Sequence, residues 1–226
     1  MQLELDRITK QYEGNRPVLD NITLTLDEGS SLAIVGPSGS GKSTLLNMMG
    51  TLDFPTTGEV RINGKSTRDL PANELVELRN IKIGFVFQTH LLLPQLTTLE
   101  NVLLPVIPRG KNCQKLAPEK ALQMLDFVGL SDKINRLPGE MSVGECQRAA
   151  VIRALINDPE LLLCDEPTGS LDHDSAASLG EMLIRLRTER TFTLITVTHS
   201  PDLADLMDKT YRLVNGKISE NGTWKN

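Results

Sequence analysis

Residues 36–44 read Gly36-Pro37-Ser38-Gly39-Ser40-Gly41-Lys42-Ser43-Thr44, a run that fits the phosphate-loop pattern G-x-x-x-x-G-K-[ST]. The apolar run of residues 31–35 precedes it and predicts a buried strand. The helical pattern of residues 43–49 follows it. Strand, glycine loop and helix are the context that this motif needs. The run therefore predicts a nucleotide phosphate site rather than an ordinary glycine-rich turn.

The residue types in this loop suit phosphate binding. Phosphate oxygens need several backbone N–H donors that converge on one point, and side chains would block that approach. Gly36, Gly39 and Gly41 keep the loop open and tolerate positive φ. The following helix adds partial positive charge at its N-terminus. Lys42 can reach the β- and γ-phosphates, and the Ser43 hydroxyl can ligate Mg²⁺.

The composition limits the classes of partner. The 226 residues carry 24 basic and 29 acidic side chains, a net charge of −5, which argues against nucleic acid as the main partner. The three cysteines form no C-x-x-C pair, so we expect reduced thiols in the cytosol. The first residues do not resemble a signal peptide, and no apolar run approaches the ~18–20 residues that span a bilayer. If the protein acts at a membrane, we expect another chain to anchor it.

Alternating and continuous apolar runs predict an α/β fold. Strands are expected over residues 3–8, 22–26, 31–35, 58–62, 83–87, 161–164 and 192–197, with a closing hairpin of 211–214 and 217–219. Helices are expected over residues 43–49, 73–79, 117–128, 145–156 and 175–186.

The character of the chain changes between residues 89 and 144. No strand pattern occurs there, and helical patterns are broken up by Pro94, Pro105, Pro108 and Pro118. We interpret residues 89–144 as a helical subdomain inserted into an α/β core of about 1–88 and 145–226.

A pair of carboxylates follows the apolar run Leu161-Leu162-Leu163-Cys164. A strand that leaves the core here would deliver Asp165 to the Mg²⁺ shell. Glu166 would then stand where it could polarise an attacking water. Acidic residues also follow buried strands simply as turn starters, but the phosphate loop upstream favours the functional interpretation.

With these residues in view, the sequence resembles the ATPase subunits of ABC transporters. Met141-Ser142-Val143-Gly144-Glu145 is similar to the family signature L-S-G-G-[QE], and Gly169-Ser170-Leu171-Asp172 is similar to the D-loop. His199 resembles the switch histidine, Gln88 the Q-loop glutamine, and Tyr12 the aromatic residue that stacks on adenine. The motifs occur in family order over essentially the whole chain, which is far more specific than any one of them.

Each of these residues also has an ordinary interpretation when it is taken alone. Tyr12 could be a strand-end aromatic, His199 a satisfied polar residue and Gln88 a turn residue. Ser142 could be no more than a helix N-cap.

The resemblance implies a P-loop NTPase core with a mixed sheet, an antiparallel β subdomain and an inserted α-helical subdomain, all in one ABC ATPase domain of residues 1–226. It implies a homodimer that closes around two ATP molecules and reopens after hydrolysis. The implied nucleotide contacts are Tyr12, residues 36–44 and Gln88, and the implied Mg²⁺ ligands are Ser43, Gln88 and Asp165. The implied catalytic groups are Glu166 and His199. Ser142, Gly144 and Glu145 would complete the opposite subunit's site, and Asp172 would couple the two sites.

One residue departs from the family pattern, since Val143 replaces the first signature glycine. A β-branched residue would be strained there if the backbone needed positive φ, and tolerable in an ordinary first helical turn. The alternative this raises is a regulatory nucleotide-binding module without turnover.

Wider stretches resemble the group of lipoprotein-releasing (LolD), macrolide-export (MacB) and cell-division (FtsE) ATPases, most of all the lipoprotein-releasing type. These stretches are residues 50–58, 77–88, 91–94 and 99–102. The resemblance implies integral membrane permease subunits as partners and a peripheral location at the cytoplasmic face of the inner membrane. We expect the partner to dock near residues 91–106, where Leu91, Leu92, Leu93 and Leu96 cluster. The alternative is that these leucines all belong to the core of the helical subdomain.

Two competing functions remain open from the sequence. One is a soluble ABC-type ATPase that acts on DNA or ribosomes, although the chain has neither a paired-cysteine insertion nor a second ATPase unit. The other is an FtsE-like or regulatory ATPase. The cargo and the direction of transport do not follow from these residues.

Overall fold

Two β-sheets form the frame of the molecule in the computed structural model, which describes residues 1–13 and 16–220. The strands are β1 (Leu3–Lys10), β2 (Leu19–Leu26), β3 (Ser31–Val35), β4 (Thr57–Ile62), β5 (Lys65–Ser66), β6 (Ile83–Val86), β7 (Leu161–Asp165), β8 (Thr193–Thr198), β9 (Lys209–Val214) and β10 (Lys217–Glu220). A four-stranded antiparallel sheet has the order β2-β1-β4-β5, and a six-stranded sheet has the order β10-β9-β3-β8-β7-β6.

The six-stranded sheet is mixed. Its neighbours from β9 through β3, β8 and β7 to β6 run parallel, and only β10 pairs antiparallel to β9. Parallel strands are normally covered on both faces, and β3 illustrates this. Leu32 and Ile34 join one apolar cluster, whereas Ala33 and Val35 join the other. The sheet therefore separates two cores, which explains why its strands read as continuous apolar runs.

The helices cover these faces and build the segment between β6 and β7. They are α1 (Lys42–Met49), α2 (Ala72–Glu77), α3 (Thr98–Leu103), α4 (Lys111–Phe127), α5 (Val143–Leu155), α6 (His173–Arg190) and α7 (Pro201–Asp205). A π-helical stretch spans Leu78–Lys82, and short 3₁₀ stretches span Leu104–Arg109, Ser131–Lys133 and Pro138–Glu140. Residues 89–144 contain helices and no strand, so the expected helical character is present. The exact subdomain boundaries stay a prediction.

Two expectations about this helical segment are wrong in detail. Helix α4 begins at Lys111, not near residue 117, and Pro118 lies inside it. Proline lacks the N–H that would bond the carbonyl four residues earlier. That carbonyl belongs to the exposed Gln114, where water can reach it, so the helix continues.

Helices α3 and α7 were not expected at all. Thr97 caps α3 through a reciprocal pair with Glu100, and Ser200 caps α7. The Thr-x-x-Glu pattern of residues 97–100 is a capping-box signal, but the six residues of α3 are too few to show a helical period.

Candidate functional site

The phosphate-loop motif forms the connection between β3 and α1. Gly41 takes φ +101° directly before Lys42, the first residue of α1, and this left-handed conformation favours glycine. The Lys42 side chain is nearly buried, and its Nζ donates to the carbonyl of Gly36 at 2.9 Å and to that of Pro37 at 3.3 Å. The loop therefore curls around an ammonium group next to a helix N-terminus, an arrangement that suits an anion.

Strand β7 brings a carboxylate to the start of α1. Asp165 is the last residue of β7, and its Oδ1 accepts a hydrogen bond from Ser43 Oγ at 3.1 Å. Burial raises the pKa of Asp165, and the neighbouring Glu166 charge adds to the rise, while the Ser43 hydrogen bond and Lys42 oppose it. A nearby cation would relieve this unfavourable burial of charge.

Glu166 is held from several sides in an unusual backbone conformation. Its φ is +47°, which is uncommon for a residue other than glycine. Its Oε2 lies 2.8 Å from Nδ1 of His199 and accepts the His199 backbone N–H at 3.1 Å. Its Oε1 lies 3.7 Å from Nζ of Lys42. The phosphate loop, β7 and the end of β8 therefore meet at one carboxylate.

These groups line one cleft of about 590 Å³, a suitable size for a nucleotide. Its walls are formed by Val18, Ser38, Gly39, Gly41, Lys42, Ser43, Thr44, Gln88, Asp165, Glu166 and His199. A second cleft of about 680 Å³ adjoins the loop and shares Val18, Ser38 and Gly39 with the first, and Pro37 and Ser40 are among its other lining residues. The cleft thus brings together the expected phosphate, Mg²⁺ and catalytic residues.

Tyr12 does not line the first cleft. Its ring is 44% exposed, its hydroxyl donates to Asp53 Oδ2 at 3.0 Å, and Lys10 Nζ lies 4.9 Å from the ring centroid. The nearest lining residue in sequence is Val18, whose N–H donates to the Lys10 carbonyl at 2.8 Å. Tyr12 therefore lies in the connection next to the cleft, with an exposed ring.

Ser142 is the N-cap of α5. Its Oγ accepts the Glu145 N–H at 3.2 Å, and Glu145 Oε2 accepts the Ser142 N–H at 2.8 Å, which completes a capping box. Lys133 Nζ lies 3.5 Å from Glu145 Oε1. Val143 is the first residue of α5 and lies outside the left-handed region. Ser142, Gly144 and Glu145 are not among the residues that line the phosphate-loop cleft of their own chain.

Asp172 caps α6, the neighbouring helix. It accepts the Ser175 N–H at 3.0 Å, and this hydrogen bond holds the pKa of Asp172 below its usual value. A Cβ added to Gly144 would lie 3.7 Å from Ser175 Oγ, so the signature turn and the Asp172 turn are adjacent.

A family model provides the deciding comparison, because the model described as ABC transporter matches residues 19–169. The chain belongs to the ABC transporter family. It is an ATP-binding subunit of that family, and therefore an ATPase.

Curated relatives of this ABC ATPase subunit match almost its entire length. The chain is 48% identical over 205 residues to "Lipoprotein-releasing system ATP-binding protein LolD 1" of Rhodopirellula baltica, a match that covers 91% of this chain and 89% of the relative. It is 47% identical over 220 residues to "Lipoprotein-releasing system ATP-binding protein LolD" of Geobacter metallireducens, with 96% and 97% covered.

Solved structures of the same family confirm the fold expected from the sequence. "Dimeric Structure of MJ0796, a Bacterial ABC Transporter Cassette" superposes with a TM-score of 0.84 at 38% identity, covering 98% of this chain and all of the other. A dimeric post-hydrolysis state of MJ0796 bound to ADP and Pi has a TM-score of 0.83 at the same identity and coverage. The ABC ATPase is thus similar to cassettes that were solved as dimers.

The donor set of this ABC ATPase suits Mg²⁺ better than a metal held by protein alone. Among residues 1–13 and 16–220, no group of three or more His, Cys, Asp or Glu side chains could hold a metal ion. Mg²⁺ is usually bound by one or two carboxylates together with substrate phosphates and water. Asp165, with the hydroxyl of Ser43 and the amide of Gln88 on the same cleft, matches that pattern.

Val18 is a cleft residue that the sequence analysis missed. It lies just before β2, and a single valine in an unassigned connection carries no pattern that points to a ligand.

No helix within the described residues is long and apolar enough to cross a bilayer.

Proposed function

We propose that this ABC ATPase works as a homodimer that closes around two ATP molecules and drives a separate membrane permease of the lipoprotein-releasing type. The observation that carries the proposal is the meeting of Glu166, His199 and Lys42 on the phosphate-loop cleft. The names of the LolD relatives support lipoprotein release as the function. The dimeric MJ0796 structures support the dimer.

The phosphates would be held by Lys42 and the loop amides, with the N-terminus of α1 directed at them. Tyr12 would stack on adenine from the side of the cleft next to Val18. Ser43, Gln88 and Asp165 would hold Mg²⁺, in part through water. Held by these residues, Mg²⁺ would supply positive charge that offsets the negative charge of the phosphates. The raised pKa of Asp165 is consistent with a carboxylate that is incomplete without a cation.

Glu166 would orient or activate the water that attacks the γ-phosphate. The two His199 contacts keep this carboxylate pointed along one direction. His199 would also contact the γ-phosphate in the transition state. Ser142, Gly144 and Glu145 would approach the same phosphate from the partner subunit, where the capped N-terminus of α5 adds its dipole. Asp172 would couple the two sites through the adjoining start of α6.

The membrane partner would dock on the helical segment around residues 91–106. The apolar group there is divided in the structure, since Leu92 is buried whereas Leu91 and Leu93 are 53% and 41% exposed. Leu92 therefore belongs to the core, and Leu91 and Leu93 offer the apolar contact. Docking there would hold the subunit peripherally at the cytoplasmic face of the inner membrane.

The catalytic assignment is tested with Glu166→Gln. Gln keeps the shape and a hydrogen-bond acceptor for His199 but loses the charge, so turnover should fall by ~10²–10⁴-fold while ATP binding persists and a closed dimer accumulates. Glu160→Gln is the matched control, because Glu160 flanks the other end of β7 and pairs with Lys82 on the surface. Near-normal turnover of Glu166→Gln would refute the assignment.

The docking surface is tested with a photo-crosslinking residue at Leu93 and, as a control, at Ser219 in β10. We expect crosslinks to the co-purified membrane protein from position 93 only. Crosslinks from position 219 alone would contradict the proposed surface.

A further inference from the structure

Helix α5 holds the backbone on both sides of Gln88. Gln147 is fully buried, and its Nε2 donates to the Phe87 carbonyl at 2.8 Å. Six residues later, Arg153 donates from Nη2 to the His90 carbonyl at 2.8 Å and from Nη1 to the Leu91 carbonyl at 2.6 Å. The residue before Gln88 and the second and third residues after it are thus tied to one helix.

Arg153 is an unusual residue to find in this role. Burial lowers the pKa of its guanidinium, and it forms no ion pair with a carboxylate of residues 1–13 or 16–220. Arg153 is half-buried, and a partly desolvated charge without an acidic partner loses part of its hydration energy. A guanidinium, however, presents parallel N–H groups that fit two successive carbonyls, which an ammonium cannot do in the same fixed geometry.

Arg153 also lies in the last turn of α5, where any cation is stabilised by the helix dipole. That general role would be filled equally well by lysine. The two roles therefore differ in one requirement: binding two successive carbonyls needs the fork geometry of a guanidinium, whereas interaction with the helix dipole does not.

The segment that Arg153 holds has a conformation that needs support. Leu91 takes φ +48°, which is disfavoured for a residue with a Cβ. His90 Nδ1 accepts the Leu92 N–H at 3.1 Å, so the turn is closed on itself. Such conformations persist only where the surroundings determine them. The two hydrogen bonds from Arg153 help to hold Leu91 in this conformation.

A second element touches Gln88 directly. Ser170 Oγ donates to the Gln88 carbonyl at 3.2 Å, and a Cβ added to Gly169 would lie 3.0 Å from Gln88 Nε2. Ser170 lies in the turn that leads to Asp172 at the start of α6. Gln88 is therefore bracketed by α5 and by the chain that enters α6.

We propose that Arg153 is a positioning residue, whose guanidinium fixes the segment after Gln88 to α5 so that Gln88 and the Ser142–Gly144 turn move as one body. This inference rests on the proposed role of Gln88 as a Mg²⁺ ligand. A shift of α5 then changes the position of Gln88 in the cleft. A displacement of Leu91 is likewise transmitted through α5 to the Ser142–Gly144 turn.

The test compares Arg153→Met and Arg153→Lys in the full-length chain, with Arg79→Met as the matched control. Arg79 also donates from a guanidinium to a backbone carbonyl, that of Thr51 at 3.0 Å, but away from Gln88. The readouts are kcat, the ATP concentration at half-maximal rate, the half-saturating Mg²⁺ concentration, and nucleotide affinity in EDTA.

We expect Arg153→Met to lower kcat about tenfold and to raise the half-saturating Mg²⁺ concentration at least threefold, because Gln88 loses its fixed position. Nucleotide affinity in EDTA should stay within about twofold, since the phosphate loop is untouched. Arg153→Lys should recover only part of the loss, because one ammonium replaces a fork. Arg79→Met should leave the Mg²⁺ dependence and kcat unchanged.

Wild-type kcat and Mg²⁺ dependence in Arg153→Met would overturn the inference, as would full recovery in Arg153→Lys. If Arg153→Met does not fold, Arg153→Lys decides: a raised half-saturating Mg²⁺ concentration supports the inference, and wild-type values refute it. Gln88→Ala is measured in parallel. A normal Mg²⁺ dependence in Gln88→Ala refutes the proposed role of Gln88 itself, whereas an altered dependence there with normal Arg153 variants refutes only the inference about Arg153.

Discussion

Val143→Gly restores the glycine that the family signature usually has, and we expect it to change turnover little. Val143 is the first residue of α5, has no left-handed backbone and is 51% exposed. A valine adopts the first turn of a helix without strain. We therefore expect that glycine is not required at this position and that Val143 preserves hydrolysis.

The magnitude of this change can be worked from the position of the side chain. Replacing valine by glycine in a helix costs ~0.4 kcal/mol in propensity. Losing the buried half of the side chain costs roughly 1 kcal/mol more. The sum corresponds to a fall in Tm of about 3–5 °C for a chain of this size. Turnover should change by less than about tenfold, or ~1.4 kcal/mol of barrier.

The assay measures ATPase turnover of the wild type, Val143→Gly and Ser142→Ala, each assembled with its membrane partner at saturating ATP. Ser142→Ala should be the more damaging change, because it removes the cap of α5, worth ~1 kcal/mol, together with the proposed contact to the opposite phosphate. A hundredfold gain in Val143→Gly would refute this reasoning. The regulatory module without turnover would then be the better interpretation of Val143.

Three further outcomes follow from the described contacts. Because burial and Glu166 raise the pKa of Asp165, its ionisation disfavours the folded state, and stability is lost as pH rises through that raised pKa. Asp165→Asn should therefore have a higher Tm than the wild type at pH 7 in EDTA, and this difference should disappear near pH 4. The variant should also lose Mg²⁺-dependent turnover. A Tm equal to that of the wild type at both pH values would contradict this. Gly36→Ala should cost ~3 kcal/mol of unfolding free energy, checked by urea titration, because a Cβ there would overlap the Leu213 carbonyl oxygen. Thiol reagents at pH 8 should leave Cys164 unlabelled in the native chain, since burial raises its pKa to about 12, and labelling before unfolding would contradict its placement.

Much of the fold was predictable because the relevant signals are local. The strand before the phosphate loop and the strand before Asp165 are continuous apolar runs, and the structure confirms both as β3 and β7. The expected helix after residue 144 is present as α5, although it begins two residues earlier at Val143. A strand that is buried on both faces of the sheet needs apolar residues at every position, so it can be recognised in the sequence as a continuous apolar run.

The prediction was least successful in residues 89–144, where elements are short. Helix α3 has a capping box but only six residues, so no period could develop. Pro118 looked like a break, yet its missing donor affects only an exposed carbonyl. The start of α3 thus has a local signal without a period, whereas the outcome at Pro118 is decided by where water reaches the chain.

By itself, the sequence determined the chemistry of this protein: a phosphate loop, a carboxylate pair after an apolar strand, and a signature that together predict an ABC ATPase. Only the tertiary structure decided which of these groups meet. Strand β3 lies beside β8, and β8 beside β7, so Lys42, Glu166 and His199 converge although they are far apart in the chain. The hydrogen bond from Arg153 to the Leu91 carbonyl likewise joins residues 62 positions apart. Such contacts carry no local pattern, because a hydrogen bond depends on distance in space and a sequence motif on distance along the chain.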